Sequence, residues 1–136
     1  MIKNVTPQET WDALLADPMA FLVDVRSEPE WSFVGLPNLA EAGKQPVLVP
    51  WQVYPSMQIN PNFMQAMRDA GATPEHAIYF ICRSGARSLV AAQTAQAAGF
   101  ERSFNVAGGF EGPTDEHGHR GGVEGWKADG LPWHQR

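Results

Sequence analysis

The stretch "AIYFICRSGARSLVAAQTAQAAG" (77–99) joins two patterns of different periodicity. Residues 77–82 form a continuous apolar run, which is typical of a strand that is covered on both faces of a sheet. Residues 86–99 are rich in alanine and end at Gly99, a pattern that predicts a helix. A buried strand that leads directly into a helix is typical of α/β folds, in which the strands run parallel.

The rest of the chain repeats this alternation of strands and helices. Thr6 and Glu9 have the spacing of a capping box, and Pro7 suits the first position of the helix that follows, which Pro18 ends. We predict further strands at 2–5, 20–25, 46–51 and 103–106, and further helices at 28–34, 60–71 and 123–130. The 60–71 helix would begin with Asn60 as its N-cap and Pro61 at its first position. The pattern predicts one α/β domain, residues 1–136, with a central, mainly parallel sheet flanked by helices on both faces.

Bulk properties exclude several classes of function. The 136 residues are 43% hydrophobic and carry a formal net charge of -5, which argues against a general binder of nucleic acid or of anionic membranes. No stretch approaches the roughly 20 apolar residues of a membrane span. The first residues, "MIKNVTPQETWD", lack the apolar segment of a signal peptide, so we expect a cytoplasmic protein.

Cys82 is the only cysteine, which excludes an intramolecular disulfide and a Cys-x-x-Cys redox pair. In parallel sheets, ligands bind beyond the carboxyl ends of the strands, and Cys82 lies at such an end. Four residues separate it from Arg87: Arg83, Ser84, Gly85 and Ala86. If they curl into a loop, backbone N–H groups, the helix N-terminus and two arginines would all favour a thiolate over a thiol. A buried, inert cysteine is the competing interpretation.

The motif "CRSGARS" (82–88) resembles the active-site loop of the rhodanese family of sulfurtransferases, Cys-x-x-Gly-x-Arg-Ser. Further similarity lies in "LVDVRSEPEW" (22–31), in "NVAGGFEG" (105–112) and in "GWKADGLPW" (125–133), in the order the family has them. The chain departs from the family pattern at "VGLPNLAEAGKQPVLVP" (34–50), which is longer and lacks a histidine, and at the inserted "PTDEHGHR" (113–120). We expect both departures to be loops that leave the rhodanese-like fold intact.

This resemblance implies a two-step transfer of sulfane sulfur in which Cys82 is the nucleophile and carries a persulfide. A small anionic donor such as thiosulfate would supply the sulfur, and a thiol, a protein sulfur acceptor or cyanide would remove it. The reaction needs no metal and no organic cofactor. The expected substrate-binding residues are those of the loop: Arg83, Ser84, Gly85, Ala86, Arg87 and Ser88.

Arg83 is the better candidate for recognising the donor. Arg87 either does the same or ties down the loop through a carboxylate, for which the resemblance implies Asp24 or Glu30. The resemblance implies a supporting ionic network of Asp24, Arg26 and Glu30, for which a purely structural role stays equally open.

Two other classes of function remain as alternatives. One is a rhodanese-like sulfur-carrier or regulatory module that binds a partner without turnover. The other is a cysteine-dependent phosphatase or arsenate reductase. Phosphatases use Cys-x5-Arg, but here Arg87 follows after four residues, and the smaller ring favours a single sulfur over a tetrahedral oxyanion.

The "DEHGH" segment (115–119) offers two imidazoles and two carboxylates. A zinc site or a catalytic pair with Cys82 would need these groups to converge, and nothing in the sequence brings His117 or His119 to the cysteine. A polar surface loop is the expected structure.

Overall fold

The computed structural model describes residues 1–135. Within that range the strands are, in chain order, β1 (Lys3–Val5), β2 (Ala20–Asp24), β3 (Leu36–Pro37), β4 (Val47–Leu48), β5 (Gln52–Val53), β6 (Gln58–Ile59), β7 (Ala77–Ile81), β8 (Ser103–Val106) and β9 (Trp133–His134). The helices are α1 (Pro7–Ala16), α2 (Glu28–Phe33), α3 (Phe63–Asp69) and α4 (Ala86–Ala97), with a short 3-10 turn at Ala40–Ala42.

A five-stranded parallel sheet in the order β1-β8-β7-β2-β4 forms the centre of the molecule. β7 lies in the middle, between β8 and β2, as its continuous apolar sequence predicts. The sheet separates two clusters of buried side chains. One contains residues of α3 and α4, and the other contains Trp11 and Leu14 of α1. The predicted α/β class, with a parallel sheet between helices, is therefore confirmed.

Local capping explains where two helices begin. Thr6 and Glu9 form the predicted capping box at α1, with hydrogen bonds of 3.0 and 2.9 Å. Ser27 and Glu30 form a second capping box at α2, where the Ser27 N–H donates to the Glu30 carboxylate at 3.1 Å. The second box matters for function because it fixes the side chain of Glu30 at the carboxyl end of β2.

Two predicted elements are shorter in the structure than the sequence pattern suggests. The helix predicted at 60–71 covers only Phe63–Asp69, because Asn60 uses its side chain to bridge Pro50 O and Asn62 N instead of capping a helix at Pro61. The strand predicted at 46–51 is limited to Val47–Leu48, since the flanking prolines have no N–H to donate to a sheet. Both elements nevertheless occur in the predicted order.

The helix predicted at 123–130 is wrong, because that segment forms a series of turns. Gly125 has a φ of +111°, which an α-helix does not allow. A Cβ at Gly125 would lie only 3.0 Å from Gly112 N and 3.1 Å from Gly108 O, so this glycine permits close contact between two loops. Trp126, which follows it, is completely buried beside Trp11 in the α1-side core.

The register of β2 and β7 places the candidate residues at one edge of the sheet. Asp24 is paired with Ile81, and the Val25 N–H donates to Ile81 O at 2.9 Å. Arg26 and Cys82 therefore follow neighbouring strands at their carboxyl ends. No helix within residues 1–135 is long and apolar enough to cross a membrane.

Candidate functional site

Cys82 is the first residue after β7, and it is only 1% exposed. Within residues 1–135, two groups lie within hydrogen-bonding distance of Sγ: the Gly85 N–H at 3.1 Å and the Ser88 hydroxyl at 3.2 Å. Gly85 has a φ of +109°, a conformation that glycine adopts without strain and that turns its N–H back toward the sulfur. The loop thus brings one backbone N–H and one side-chain hydroxyl to the sulfur.

The sequence predicts a fuller cradle, in which the N–H groups of residues 83 to 87 point at the sulfur. In the part of the chain that the structure describes, Gly85 alone among these residues donates its N–H to Sγ. Arg83, Ser84 and Ala86 are exposed, so the outer side of the loop faces solvent. Ser88 is completely buried, and its position in the first turn of α4 brings its hydroxyl to the sulfur.

Arg87 is tied to Glu30 by a bidentate ion pair. Arg87 Nη1 lies 2.7 Å from Glu30 Oε1, and Nη2 lies 2.9 Å from Oε2. This arrangement corresponds to the second of the two roles left open for Arg87, and it joins the first turn of α4 to α2. About a fifth of each side chain remains exposed, 20% for Arg87 and 19% for Glu30.

The ion pair changes the protonation equilibria of both partners. Burial raises the pKa of Glu30, but the hydrogen bonds and charge of Arg87 and the hydrogen bonds from Ser27 outweigh it and lower that pKa to about 2. Its hydrogen bond to Glu30 raises the pKa of Arg87, against the opposing effect of burial. Both groups are therefore charged throughout the neutral range.

Asp24 and Arg26 form a separate, completely buried pair. Arg26 Nη2 lies 2.7 Å from Asp24 Oδ2 and also donates to Gly35 O at 2.8 Å, while the guanidinium stacks 4.3 Å from the ring centre of Phe110. The predicted network of Asp24, Arg26 and Glu30 is thus two pairs, Asp24–Arg26 and Glu30–Arg87. Because the first pair has no exposed surface, its contacts are with the protein's own loops rather than with solvent.

The residues after β8 fasten the cysteine loop from the other side. We call residues 107–112 the glycine loop. Its Phe110 N–H donates to Cys82 O at 2.8 Å, and the N–H groups of Glu111 and Gly112 donate to Arg83 O at 2.9 and 3.0 Å. A Cβ on Gly109 would lie 2.5 Å from Cys82 O, so only glycine permits this close approach.

Sequence reasoning missed one polar residue of the site. Asn105 of β8 is 4% exposed, and its Oδ1 lies 2.6 Å from Ser88 Oγ. Its Nδ2 donates to Asn4 Oδ1 at 2.9 Å and to Gly85 O at 3.2 Å. The available signal was the alternation of polar Ser103 and Asn105 with apolar residues in the strand pattern "SFNV", since a buried amide requires partners.

In the histidine-containing loop, residues 113–120, the side chain of Asp115 hydrogen bonds to backbone groups of the same loop. Asp115 Oδ1 accepts from the N–H groups of His117 and His119 at 2.8 and 2.9 Å. Across residues 1–135, no group of three or more His, Cys, Asp or Glu side chains converges as metal ligands. The loop is linked to the glycine loop by the Arg120 side chain, which donates to Gly112 O at 2.7 Å.

A cavity of about 660 Å³ opens elsewhere, between residues 36–48 and His134, and no residue of the cysteine loop lines it. The candidate site therefore lies apart from this cavity.

Comparison with known proteins gives one consistent result. The family model for the rhodanese-like domain matches residues 6–116. The uncharacterized protein RC0915 of Rickettsia conorii is 35% identical over 133 residues, which cover 97% of each chain. The crystal structure of Rv0390 from M. tuberculosis is 44% identical, covers 98% of each chain and superimposes with a TM-score of 0.89. A polysulfide-sulfur transferase homodimer from Wolinella succinogenes shares the fold, with a TM-score of 0.69, 21% identity and coverage of 99% of this chain and 80% of that one.

Proposed function

The chain belongs to the family of rhodanese-like domains, and we propose that it is a sulfurtransferase that works through a persulfide on Cys82. The observation that carries the proposal is the surroundings of the one thiol in the chain. Cys82 lies at the carboxyl end of the central strand, with the Gly85 N–H and the Ser88 hydroxyl directed at its sulfur. Hydrogen-bond donors at that position stabilise negative charge on a thiolate and on a persulfide alike.

In the first half-reaction, the Cys82 thiolate attacks the outer sulfur of a sulfane donor. With thiosulfate, a new S–S bond forms to Sγ, the sulfur–sulfur bond of the donor breaks, and sulfite leaves with the electron pair. The negative charge passes to the terminal sulfur of the persulfide.

In the second half-reaction, a nucleophile attacks the outer sulfur of the persulfide. A thiolate acceptor becomes a persulfide itself, or cyanide becomes thiocyanate, and Cys82 regains its thiolate. A second cysteine of the same chain cannot act as the acceptor, because the sequence has none. The acceptor is therefore a separate molecule, either a small thiol or a protein thiol.

Arg83 is our proposed recognition residue for the anionic donor. It is exposed beside the nucleophile, and none of its side-chain N–H groups hydrogen bonds to another residue in the range 1–135. Arg87 has its guanidinium engaged by Glu30, so it supports the loop rather than the donor.

The same contact argues against the phosphatase alternative. A cysteine phosphatase uses the arginine of its loop to clamp the phosphate oxygens, whereas both terminal nitrogens of Arg87 hydrogen bond to Glu30. A binding module without turnover would have the same contacts. Only a measurement of sulfur transfer distinguishes that alternative from the proposal.

The deciding experiment is intact-protein mass spectrometry after incubation with thiosulfate. We expect the wild type to gain one sulfur atom and to lose it when cyanide is added. Cys82→Ser, which nearly conserves side-chain volume, should keep its fold and gain nothing. A sulfur gain in that variant would refute the persulfide at Cys82. A wild type that gains no sulfur from thiosulfate or from a small persulfide donor would favour the binding module.

A further inference from the structure

Asn105 links the two groups that hydrogen bond to the nucleophile. Its amide nitrogen donates to Gly85 O, and its amide oxygen lies 2.6 Å from the hydroxyl of Ser88. Gly85 and Ser88 are also the two residues whose donors reach Cys82 Sγ. One buried side chain on a neighbouring strand therefore contacts both residues that supply these donors, at the carbonyl of Gly85 and at the hydroxyl of Ser88.

The orientation of this amide follows from its partners. A backbone carbonyl such as Gly85 O only accepts hydrogen bonds, so the amide atom facing it must be the nitrogen. Asn4 Oδ1 receives the second N–H of the same nitrogen at 2.9 Å. The other end of the amide, which faces Ser88, must then be the oxygen, an acceptor without a proton.

The Ser88 hydroxyl has one proton and two neighbouring acceptors. Asn105 Oδ1 lies at 2.6 Å and Cys82 Sγ at 3.2 Å. While Cys82 is a thiol, its S–H donates to the Ser88 oxygen, and the Ser88 proton lies toward Asn105. A thiolate or persulfide anion has no proton to donate, so Ser88 adds to the hydrogen bond from the Gly85 N–H only if the Ser88 proton turns toward the sulfur.

We propose that Asn105 is a positioning residue that competes with the Cys82 sulfur for the proton of Ser88. When Cys82 ionises, the S–H bond breaks and its proton leaves to solvent. The O–H bond of Ser88 stays intact and rotates from Asn105 Oδ1 to Sγ. The buried amide oxygen then loses its donor, so Asn105 opposes ionisation of the thiol. This inference deepens the proposed function, because the ionised sulfur is the nucleophile of that reaction.

Two substitutions at position 105 separate this role from a structural one. Asn105→Leu and Asn105→Asp both remove the N–H groups that hold Asn4 and Gly85, but only aspartate keeps an acceptor facing Ser88. The measurement is the rate of alkylation by iodoacetamide as a function of pH, because only the thiolate reacts. We expect Asn105→Leu to lower the pH at which the alkylation rate is half-maximal by about one unit. At any pH well below that midpoint, the variant would then contain about tenfold more thiolate than the wild type. Asn105→Asp should not lower the half-maximal pH.

The role of Ser88 as intermediary is tested in a Ser88→Ala background. Without the hydroxyl, Asn105→Leu should leave the half-maximal pH unchanged, since there is no proton for which to compete. The proposal is overturned if Asn105→Leu alone does not lower the half-maximal pH, if Asn105→Asp lowers it equally, or if the shift survives in the Ser88→Ala background.

A surface substitution covers the case in which Asn105→Leu fails to fold. Asn4 is exposed, and Asn4→Ala removes one of the two acceptors that hold the amide of Asn105 in place. We expect a smaller shift in the same direction, and no shift would count against the proposal. Alkylation requires neither a sulfur donor nor turnover, so a failure of the sulfurtransferase proposal would leave this result interpretable.

Discussion

Replacing Glu30 with glutamine tests whether the ion pair with Arg87 stabilises the cysteine loop. The substitution keeps the size of the side chain and removes its charge, so Arg87 is left partly buried without a counter-ion. The pair connects α2 to the first turn of α4, the turn that carries Ser88. Its loss should therefore reduce the free energy of unfolding of the whole domain.

The magnitude follows from the pKa of Glu30. Burial opposes ionisation, yet hydrogen bonding and charge from Arg87, with Ser27, lower this pKa from 4.5 to about 2. At about 1.36 kcal/mol per pH unit, that difference corresponds to at most about 3.4 kcal/mol. The hydrogen bonds from Ser27 are part of that difference, and about a fifth of each partner is exposed to screening by solvent. We therefore expect Glu30→Gln to lower the free energy of unfolding by about 1–2 kcal/mol at pH 7.

The contribution of the Glu30–Arg87 pair to the free energy of unfolding should depend on pH in a definite direction. The folded-state pKa of Glu30 lies below the unfolded value, so the contribution is complete above pH 4.5 and is lost as the pH falls toward 2. Urea unfolding curves measured between pH 7 and pH 2.5 should show the gap between wild type and Glu30→Gln narrowing below pH 4.5. Glu28→Gln, at an exposed position of the same helix, is the matched control and should change stability by less than about 0.5 kcal/mol. A gap that stays constant over this range, or an equal loss in the Glu28→Gln control, would refute the reasoning.

Two further variants examine the loop and its fastening. Arg83→Ala should raise KM for thiosulfate more than it lowers kcat in steady-state kinetics. Arg102, an exposed arginine that directly precedes β8, is the control, and Arg102→Ala should change neither value. An unchanged KM in Arg83→Ala would place donor recognition elsewhere. Gly109→Ala should destabilise the protein by about 2 kcal/mol more than Gly118→Ala in urea unfolding. Both glycines have positive φ, but only at Gly109 would a Cβ collide with the backbone of Cys82, so equal losses would contradict the proposed close packing.

The elements predicted well from sequence are those whose signals are local. The strand at 77–82 and the helix at 86–99 agree with β7 and α4 to within two residues at each end, because an apolar run, an alanine-rich segment and a terminal Gly99 act over short distances. The segment 123–130, whose helical pattern is weaker, forms turns instead of the predicted helix. Its conformation is decided by Gly125, which packs against Gly108 and Gly112, and a local pattern carries no information about that contact.

The same distinction separates the parts of the site. Cys82, Gly85 and Ser88 lie within seven residues of each other, so the sequence places them in one loop, although it does not single out Gly85 among the backbone N–H groups of residues 83–87. The partner of Arg87 was not, because Glu30 is 57 residues away and the resemblance allowed either Asp24 or Glu30. The second capping box decides between them, since Ser27 holds the Glu30 carboxylate at the start of α2 while Asp24 is enclosed with Arg26.

For Asn105, the sequence pattern indicates that the side chain needs hydrogen-bond partners, but it does not identify them. In "SFNV" the two polar residues, Ser103 and Asn105, alternate with apolar ones, and both are buried, so one face of β8 must offer them partners. Which partners these are depends on the parallel register that pairs Asn105 with Phe80, two residues before Cys82. That register brings the amide to the first turn of α4 and to Ser88, a contact between residues 17 positions apart that a local sequence pattern does not specify.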